Sequence, residues 1–414
     1  MDHNALILAV AACATLGVII RPLRIPEYVW AVLGAVVLIA FGLLPWRNAV
    51  AAAAKGMDVY LFLIGMMLLA EVARQEGLFD WLAALAIRHA RGSARRLFLI
   101  IYVVGTIVTV FLSNDATAVV LTPAVYAAAK AARVEPLPYL FICAFIANAA
   151  SFVLPISNPA NLVIFGTHMP PLAQWLYQFT LPSVAAILIT YLLLRLTQRA
   201  AIDQKISGDF QTELLSVGGK CVAVGIALTA VALLGASSLD RQLGLPTFIA
   251  GTVVTIIVLI ISRQSPLPVL RDISWGVLPL VAGLFILVAG VEQTGILSSV
   301  TQTLRDVAAY SPGKASFGAG IVVAFASNLM NNLPTGLVAA TVSQSADVSL
   351  QVTSGILIGV DLGPNLSVTG SLATILWLIA LRREGEAVTA WQFLKLGIVV
   401  MPPALVVALL AITP

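Results

Sequence analysis

At 414 residues, 60% hydrophobic and only 10% charged, with a mean hydropathy of +1.01, the chain departs from the ~25% charge of soluble domains, so most of it has lipid as its solvent. Cys13, Cys143 and Cys221 fall in separate apolar segments without CxxC spacing, which argues against a disulfide framework or zinc site and reads as small buried apolar residues. The formal net charge of +4 matters less than where its charges fall.

The start, Met1-Asp2-His3-Asn4, lacks the basic region and cleavage site of a secretory signal, so the first apolar run is expected to stay in the mature protein, with no soluble domain appended. In chain order the apolar runs predict spans near 5–21, 27–45, 58–76, 138–166 and 172–196, then near 219–238, 245–262, 273–291, 350–381 and 389–411. These are two sets of five. Between the third and fourth span of each set lies a pair of shorter stretches, 97–112 with 116–130 and 315–326 with 333–344, each pair meeting at a Ser-Asn and too short to cross twice. They read as re-entrant hairpins, whose non-helical tips are tolerated at membrane depth only beside protein or a water-filled cavity.

Lysine and arginine set the orientation. With the N-terminus outside, the cytoplasmic connections receive Arg21, Arg24, Arg88, Arg91, Arg95, Arg96, Lys130, Arg133, Arg195, Arg199, Lys205, Lys220, Arg263, Arg271, Arg382, Arg383 and Lys395. The outside receives only Arg47, Lys55, Arg241, Arg305 and Lys314, so both termini are expected outside. The polar stretch 198–218, with Asp203, Asp209 and Glu213, is then a cytoplasmic linker.

The two sides of that linker resemble each other: Glu71-Val-Ala-Arg-Gln-Glu-Gly-Leu78 matches Val291-Glu-Gln-Thr-Gly-Ile296, and Phe111-Leu-Ser-Asn-Asp115 matches Phe325-Ala-Ser-Asn-Leu329. Five crossings per half force the second copy upside down. The expected fold is therefore an all-α polytopic membrane protein with two inverted repeats of five transmembrane helices, each with a re-entrant hairpin and a broken helix: 1–197 and 219–414, hairpins near 97–130 and 315–344, broken helices near 138–166 and 350–381.

Four polar clusters interrupt this apolar sequence. Two are at the hairpins, Ser113-Asn114-Asp115 with Thr117, and Ser327-Asn328 with Asn331-Asn332 and Thr335. Two are at the broken helices, Asn148, Ser151, Ser157, Asn158 and Asn161, and Asp361, Asn365, Ser367, Thr369, Ser371 and Thr374. Asn, Ser and Thr at a broken helix either satisfy freed backbone groups or bind a ligand, and pairing by pseudo-symmetry favours a binding site at the interface of the repeats. Asp115 and Asp361 are candidate proton-exchanging or cation-binding groups, since a carboxylate inside a span is costly and usually lines a pathway. Asp115 also fits a helix N-cap, and the two roles are compatible. Glu71 with Arg74 reads as a structural i,i+3 ion pair, and Glu292 as a weaker candidate without a local partner. His3, His89 and His168 receive no role. No P-loop, nucleophile elbow or clustered metal-ligand set is present, so neither catalysis, nor a cofactor, nor a motor of its own is expected.

The segments around the clusters resemble the ArsB-type arsenite and antimonite efflux permeases of the ion transporter superfamily, over nearly the whole chain. The narrowest matches are Ser327-Asn-Leu-Met-Asn-Asn-Leu-Pro-Thr335 and Asp361-Leu-Gly-Pro-Asn-Leu-Ser-Val-Thr-Gly-Ser-Leu-Ala-Thr-Ile-Leu-Trp-Leu378, with Ser113-Asn-Asp-Ala-Thr117 and Ser157-Asn-Pro-Ala-Asn-Leu162 in agreement. The resemblance implies export of trivalent arsenic and antimony across the bacterial inner membrane, proton antiport and, in some members, a partner ArsA-type ATPase. Arsenous acid is neutral and carries three hydroxyls, which suits Asn, Ser and Thr, and none of the clusters contains Lys or Arg. Ser-Asn tips are shared with sodium-coupled carboxylate carriers, so a sodium- or proton-coupled carboxylate transporter is the alternative. A passive channel is a further rival, without need for a coupling acid.

Overall fold

The computed structural model describes residues 2–22, 25–166, 169–203, 206, 214–239 and 241–413. Arg24, His168, Lys205, Asp209 and Glu213, named above, lie outside the described residues.

Helices α1 (His3–Ile20), α2 (Glu27–Ala40), the amphipathic α3 (Trp46–Lys55) and α4 (Met57–Gln75) come first, then α5 (Leu78–Ala90) and α6 (Ala94–Leu112). The short α7 (Asn114–Ala116) continues through a π-helical turn, Thr117–Leu121, into α8 (Thr122–Ala131). Next follow α9 (Leu137–Ala149), α10 (Pro159–Phe165), α11 (Leu172–Thr197) and α12 (Arg199–Ile202). Beyond the linker come α13 (Val217–Ser238), α14 (Gly244–Ser262), α15 (Pro266–Asp272), α16 (Val277–Gln293), α17 (Ile296–Tyr310), α18 (Pro312–Met330) and α19 (Asn332–Ala346). The chain closes with α20 (Leu350–Leu362), α21 (Leu372–Arg383) and α22 (Ala390–Leu410). Among the described residues every regular element is helical, the only backbone arrangement besides a closed barrel that satisfies its own hydrogen bonds in lipid.

Among the described residues seven helical stretches are long and apolar enough to cross a bilayer, and eight if the pair α3–α4, bent by 47°, counts as one. The ten expected spans exceed this number because α2 has only 14 residues and the spans near 138–166 and 350–381 are each split into two shorter helices. One expectation needs correction: α6, at 19 residues, passes the length and composition test by itself. The hairpin arms also extend beyond 97–112 and 315–326, because the helices run on through Arg95, Arg96, Lys314, Ser327 and Asn328. A polar side chain does not end a helix whose backbone bonds are intact.

The outward faces of the long helices are apolar. On α11 Leu181, Val184, Leu188, Leu192 and Leu196 are exposed, as are Leu245, Ile249, Val253, Ile256 and Ile260 on α14, at helical spacing that presents a greasy stripe to lipid. Inside, one continuous apolar cluster links both halves of the chain. Close crossings hold it: a side chain at Gly65 on α4 would run into the carbonyl of Thr247 on α14, and one at Gly283 on α16 would run into the backbone of Ala31 on α2. Lipid tails are as apolar as leucine, so membrane helices associate through such small-residue contacts rather than a hydrophobic driving force. Carboxylates clamp both ends of α4. Asp58 Oδ1 accepts from the Gly244 amide at 2.7 Å, capping α14, and Glu76 accepts from Ser216 Oγ at 3.1 Å beside the start of α13. On the linker, Asp203 pairs with Arg95 at 2.8 Å.

Candidate functional site

The two hairpins turn at matched backbone breaks. Ser113 takes φ 84°, ψ 162° between α6 and α7, and Asn331 takes φ 74°, ψ 154° between α18 and α19. Positive φ is costly for a residue with a Cβ, so each break is held by its surroundings. The first hairpin folds back on itself, with Thr109 Oγ1 bonded to Thr117 Oγ1 at 2.8 Å. Pro123 has no N–H to donate, and the ladder before it widens into the π turn, where Thr122 Oγ1 donates to the Thr117 carbonyl at 3.3 Å. Thr117 donates to the Ser113 carbonyl at 3.5 Å and Thr335 to the Asn331 carbonyl at 2.8 Å. Ser113-Asn114 thus corresponds to Asn331-Asn332 rather than to Ser327-Asn328, which lies one turn earlier on a continuous helix. The sequence match of Phe111–Asp115 with Phe325–Leu329 is four residues out of register, because Ser-Asn letters were matched where the backbone break decides.

The broken helices match in the same way. Asn148 and Asp361 are each the penultimate residue of a 13-residue helix, α9 and α20. After each helix comes an irregular segment with one 3-10 turn, Pro155–Ser157 or Gly363–Leu366, closed by Asn158, whose Oδ1 caps α10 at the Ala160 amide at 3.0 Å, and by Ser371, whose Oγ caps α21 at the Thr374 amide at 3.1 Å. The two breaks bond to one another: Asn158 Nδ2 donates to Asp361 Oδ1 at 2.8 Å, Asn148 Nδ2 to Asn365 Oδ1 at 2.9 Å, and Asn365 Nδ2 to the Phe145 carbonyl at 3.0 Å.

Asn114, Asp115, Asn158 and Asn332 converge on a tight cleft of about 10 Å³, closed by Leu63, Pro159, Val277, Leu333 and Leu372. It adjoins a larger cleft of about 80 Å³ to which Ser113 and Asp115 also contribute, together with Glu71, Asp272 and Ser274. Oδ1 of Asn114 and of Asn332, at equivalent positions of the two tips, are buried without a protein partner, as is Asp361 Oδ2.

The remaining predicted residues line neither of these two clefts and make hydrogen bonds within the protein, with Oδ1 of Asn148 and of Asn161 left without a partner. Ser157 Oγ donates to the Val110 carbonyl, and Asn161 Nδ2 to the Ser151 carbonyl at 3.0 Å, fixing the first break. Ser327 Oγ donates within its own helix to Val323. Asn328 bonds the Gly363 carbonyl at 2.9 Å and accepts from Ser367 Oγ at 2.7 Å, while Thr369 Oγ1 donates to the Asn328 carbonyl at 3.1 Å. Asn331 Nδ2 donates to the Thr369 carbonyl, and the Asn332 amide to the Gly370 carbonyl at 2.8 Å, so the second tip is pinned to the second break. Ser371 Oγ pairs with Thr374 Oγ1 at 2.9 Å, and Thr374 with Asn148 at 3.4 Å.

Sequence reasoning took Glu71 and Arg74 for a structural pair; the pair is present, and Arg74 also reaches Asp272 at 2.8 Å on the other half of the chain. Glu71, only 7% exposed, lines the larger cleft beside Asp272. Asp272 gave no signal in sequence, being one of many charges at a span margin. Glu292 lines a third cleft, about 330 Å³, with Lys55, Asp58 and Gln344, at the other ends of α4, α10 and α16. Among the described residues no group of His, Cys, Asp and Glu could hold a metal ion, and no cysteine lines these clefts.

A family profile described as Citrate transporter, CitMHS, matches residues 15–360. The chain is 28% identical over 369 residues to the arsenical pump membrane protein of Escherichia coli, covering 84% of each chain, and 23% identical to the putative arsenical pump membrane protein of Bacillus subtilis, covering 92% and 93%. The ArsB-type resemblance read from the motifs is thereby borne out. In fold it is similar to the YdaH transporter of Alcanivorax borkumensis, with TM-score 0.57, 15% identity and coverage of 88% and 86%. It is likewise similar to MtrF of Neisseria gonorrhoeae, with TM-score 0.55, 13% identity and coverage of 88% and 81%. The chain, a multi-pass membrane transporter rather than an enzyme, belongs to the citrate transporter (CitMHS) family.

Proposed function

We propose that this protein exports trivalent metalloids, arsenite and antimonite, from the cytoplasm in exchange for protons by alternating access. The observation that carries the reading is the cleft at the two hairpin tips. Its unpaired groups are the side-chain amides of Asn114 and Asn332, whose Oδ1 atoms are buried without a protein partner, beside the Asp115 carboxyl. A neutral trihydroxide such as arsenous acid has hydroxyls that both donate to an amide oxygen and accept from an amide N–H. Asp115 and Asp361 are the proposed proton-exchanging groups, and Ser113, Asn114, Asn158 and Asn332 the proposed contacts to substrate.

The match of the two breaks supports inverted repeats, 1–197 and 219–414, joined by the linker 198–218. With both termini outside, the cleft of about 80 Å³ at the Glu71 end of α4 faces the cytoplasm and the cleft of about 330 Å³ at its Asp58 end faces outward. Asp58 and Glu71 lie 13 residues apart on α4, about 20 Å along the axis. Asp115 lines only the first of these two, so on this reading it is reached from the cytoplasmic side. An ArsA-type ATPase, where present, would dock on the basic cytoplasmic connections around Arg88–Arg96.

The family description favours a second reading, a sodium- or proton-coupled carboxylate carrier. The larger cleft offers a carboxylate anion no free cation among the described residues: Glu71, Asp115 and Asp272 line it, and the neighbouring Arg74 is already paired with Glu71 and Asp272. Everted membrane vesicles test the choice. With arsenite outside and an imposed proton gradient, the antiporter accumulates arsenic without ATP and loses it on adding an uncoupler. Accumulation of citrate but not arsenite assigns the carboxylate reading, and uptake that never exceeds equilibrium assigns a channel.

A further inference from the structure

Helix α17 has an apolar face, Ile296, Val300, Leu304 and Val307, opposite Gln302, Arg305 and Asp306, yet not one of its residues is buried. Its positional counterpart in the first half, α5, is entered through the same left-handed glycine, Gly77 at φ 71° against Gly295 at φ 73°. That helix buries Leu78, Phe79, Ala83, Ala86, Ile87 and Ala90. Between α17, α18 and α19 lies a groove of about 480 Å³. Its walls are aliphatic apart from Thr303, Thr335 and a single charged residue, Lys314. Its floor is a small apolar cluster of Ala315, Ala339, Val352 and Ile356, separate from the main core.

We propose that this groove binds a phospholipid, with an acyl chain along α18 and the anionic phosphate at Lys314. An apolar channel of this size is poor solvent for water, and the exposed Val322, Phe325 and Leu329 on the same helix face hydrocarbon, so its natural filling is lipid. Lys314 supplies the charge complement. It forms no ion pair among the described residues, and its Nζ lies 5.7 Å from the centroid of the exposed Tyr310 ring, a basic and aromatic pair of the kind that marks a membrane–water interface. Arg305 does not compete for the headgroup, since its guanidinium donates to the Ser345 and Ala346 carbonyls at the end of α19. Met330 and Thr335 of the groove wall flank the Asn331-Asn332 break, so the acyl chain abuts the back of the tip whose front is the candidate site.

Gly318 allows a clean test, because a Cβ built there meets nothing within 4 Å and Gly318→Leu fills the groove without displacing backbone. The protein is purified in mild detergent, delipidated and titrated with phosphatidylglycerol or phosphatidylcholine, and adducts are counted by native mass spectrometry. The wild type is expected to retain one phosphatidylglycerol through delipidation. Lys314→Gln should lower its preference over phosphatidylcholine at least fivefold, and Gly318→Leu should abolish the adduct at an unchanged melting temperature. Equal adducts in all three proteins overturn the proposal. So does a Gly318→Leu protein that changes only its monomer–dimer ratio, which would make a second copy of the chain the occupant.

Discussion

Removing the Asn158 side chain should uncouple the two broken helices. Asn158→Ala deletes the 2.8 Å bond to Asp361 Oδ1 and leaves that carboxyl with no partner, because Oδ2 already lacks one. Such a bond contributes about 1.5–3 kcal/mol when the carboxyl is ionised and about 0.5–1.5 kcal/mol when it carries a proton. The same substitution removes the Oδ1 cap on the Ala160 amide, a further loss of about 1 kcal/mol. Together these give about 1.5–4 kcal/mol across the two protonation states of Asp361. A double-mutant cycle with Asp361→Ala isolates the pair. It is read by reversible detergent-induced unfolding in mixed micelles, with the buried Trp175 and Trp377 as fluorophores. A coupling energy above about 1 kcal/mol that shrinks on acidification is expected; single effects that sum to the double mutant within about 0.5 kcal/mol would refute the reasoning.

Gly65→Val forces α4 away from the Thr247 carbonyl of α14 and should cost about 1–3 kcal/mol or more, seen as a lower melting temperature or failed membrane insertion. Asp58→Ala uncaps α14 at Gly244 and should cost about 1 kcal/mol, with Asp58→Asn recovering most of the loss. Asp115 makes no side-chain hydrogen bond among the described residues, so Asp115→Asn is expected to leave the melting temperature unchanged. Its arsenic transport should lose its dependence on the proton gradient, and a normal gradient response would remove Asp115 from the mechanism. Replacing Cys13, Cys143 and Cys221 together by alanine should leave transport intact, because they sit on α1, α9 and α13 away from the clefts; abolished transport would reinstate thiol coordination of arsenic.

Much of this protein was legible from its amino acids. Hydropathy alone dictates an all-helical membrane chain, because no other open backbone survives in lipid. Asn, Asp, Pro and Gly inside apolar runs marked all four breaks, since such residues are tolerated at depth only where the helix is interrupted. Letters could not place the second tip, however: Ser327-Asn328 looks like Ser113-Asn114, but the positive φ belongs to Asn331, and that is decided by contacts to Thr369 and Gly370 from a distant segment. Nor could sequence separate the polar side chains that face the cleft from those that brace it. Asn148 and Asn365 have the same chemistry as Asn114 and Asn332, and only the packing of one half against the other joins them to each other. The joining of Arg74 to Asp272 and the groove under α17 lie equally beyond any local pattern, because both are set by how two distant helices meet.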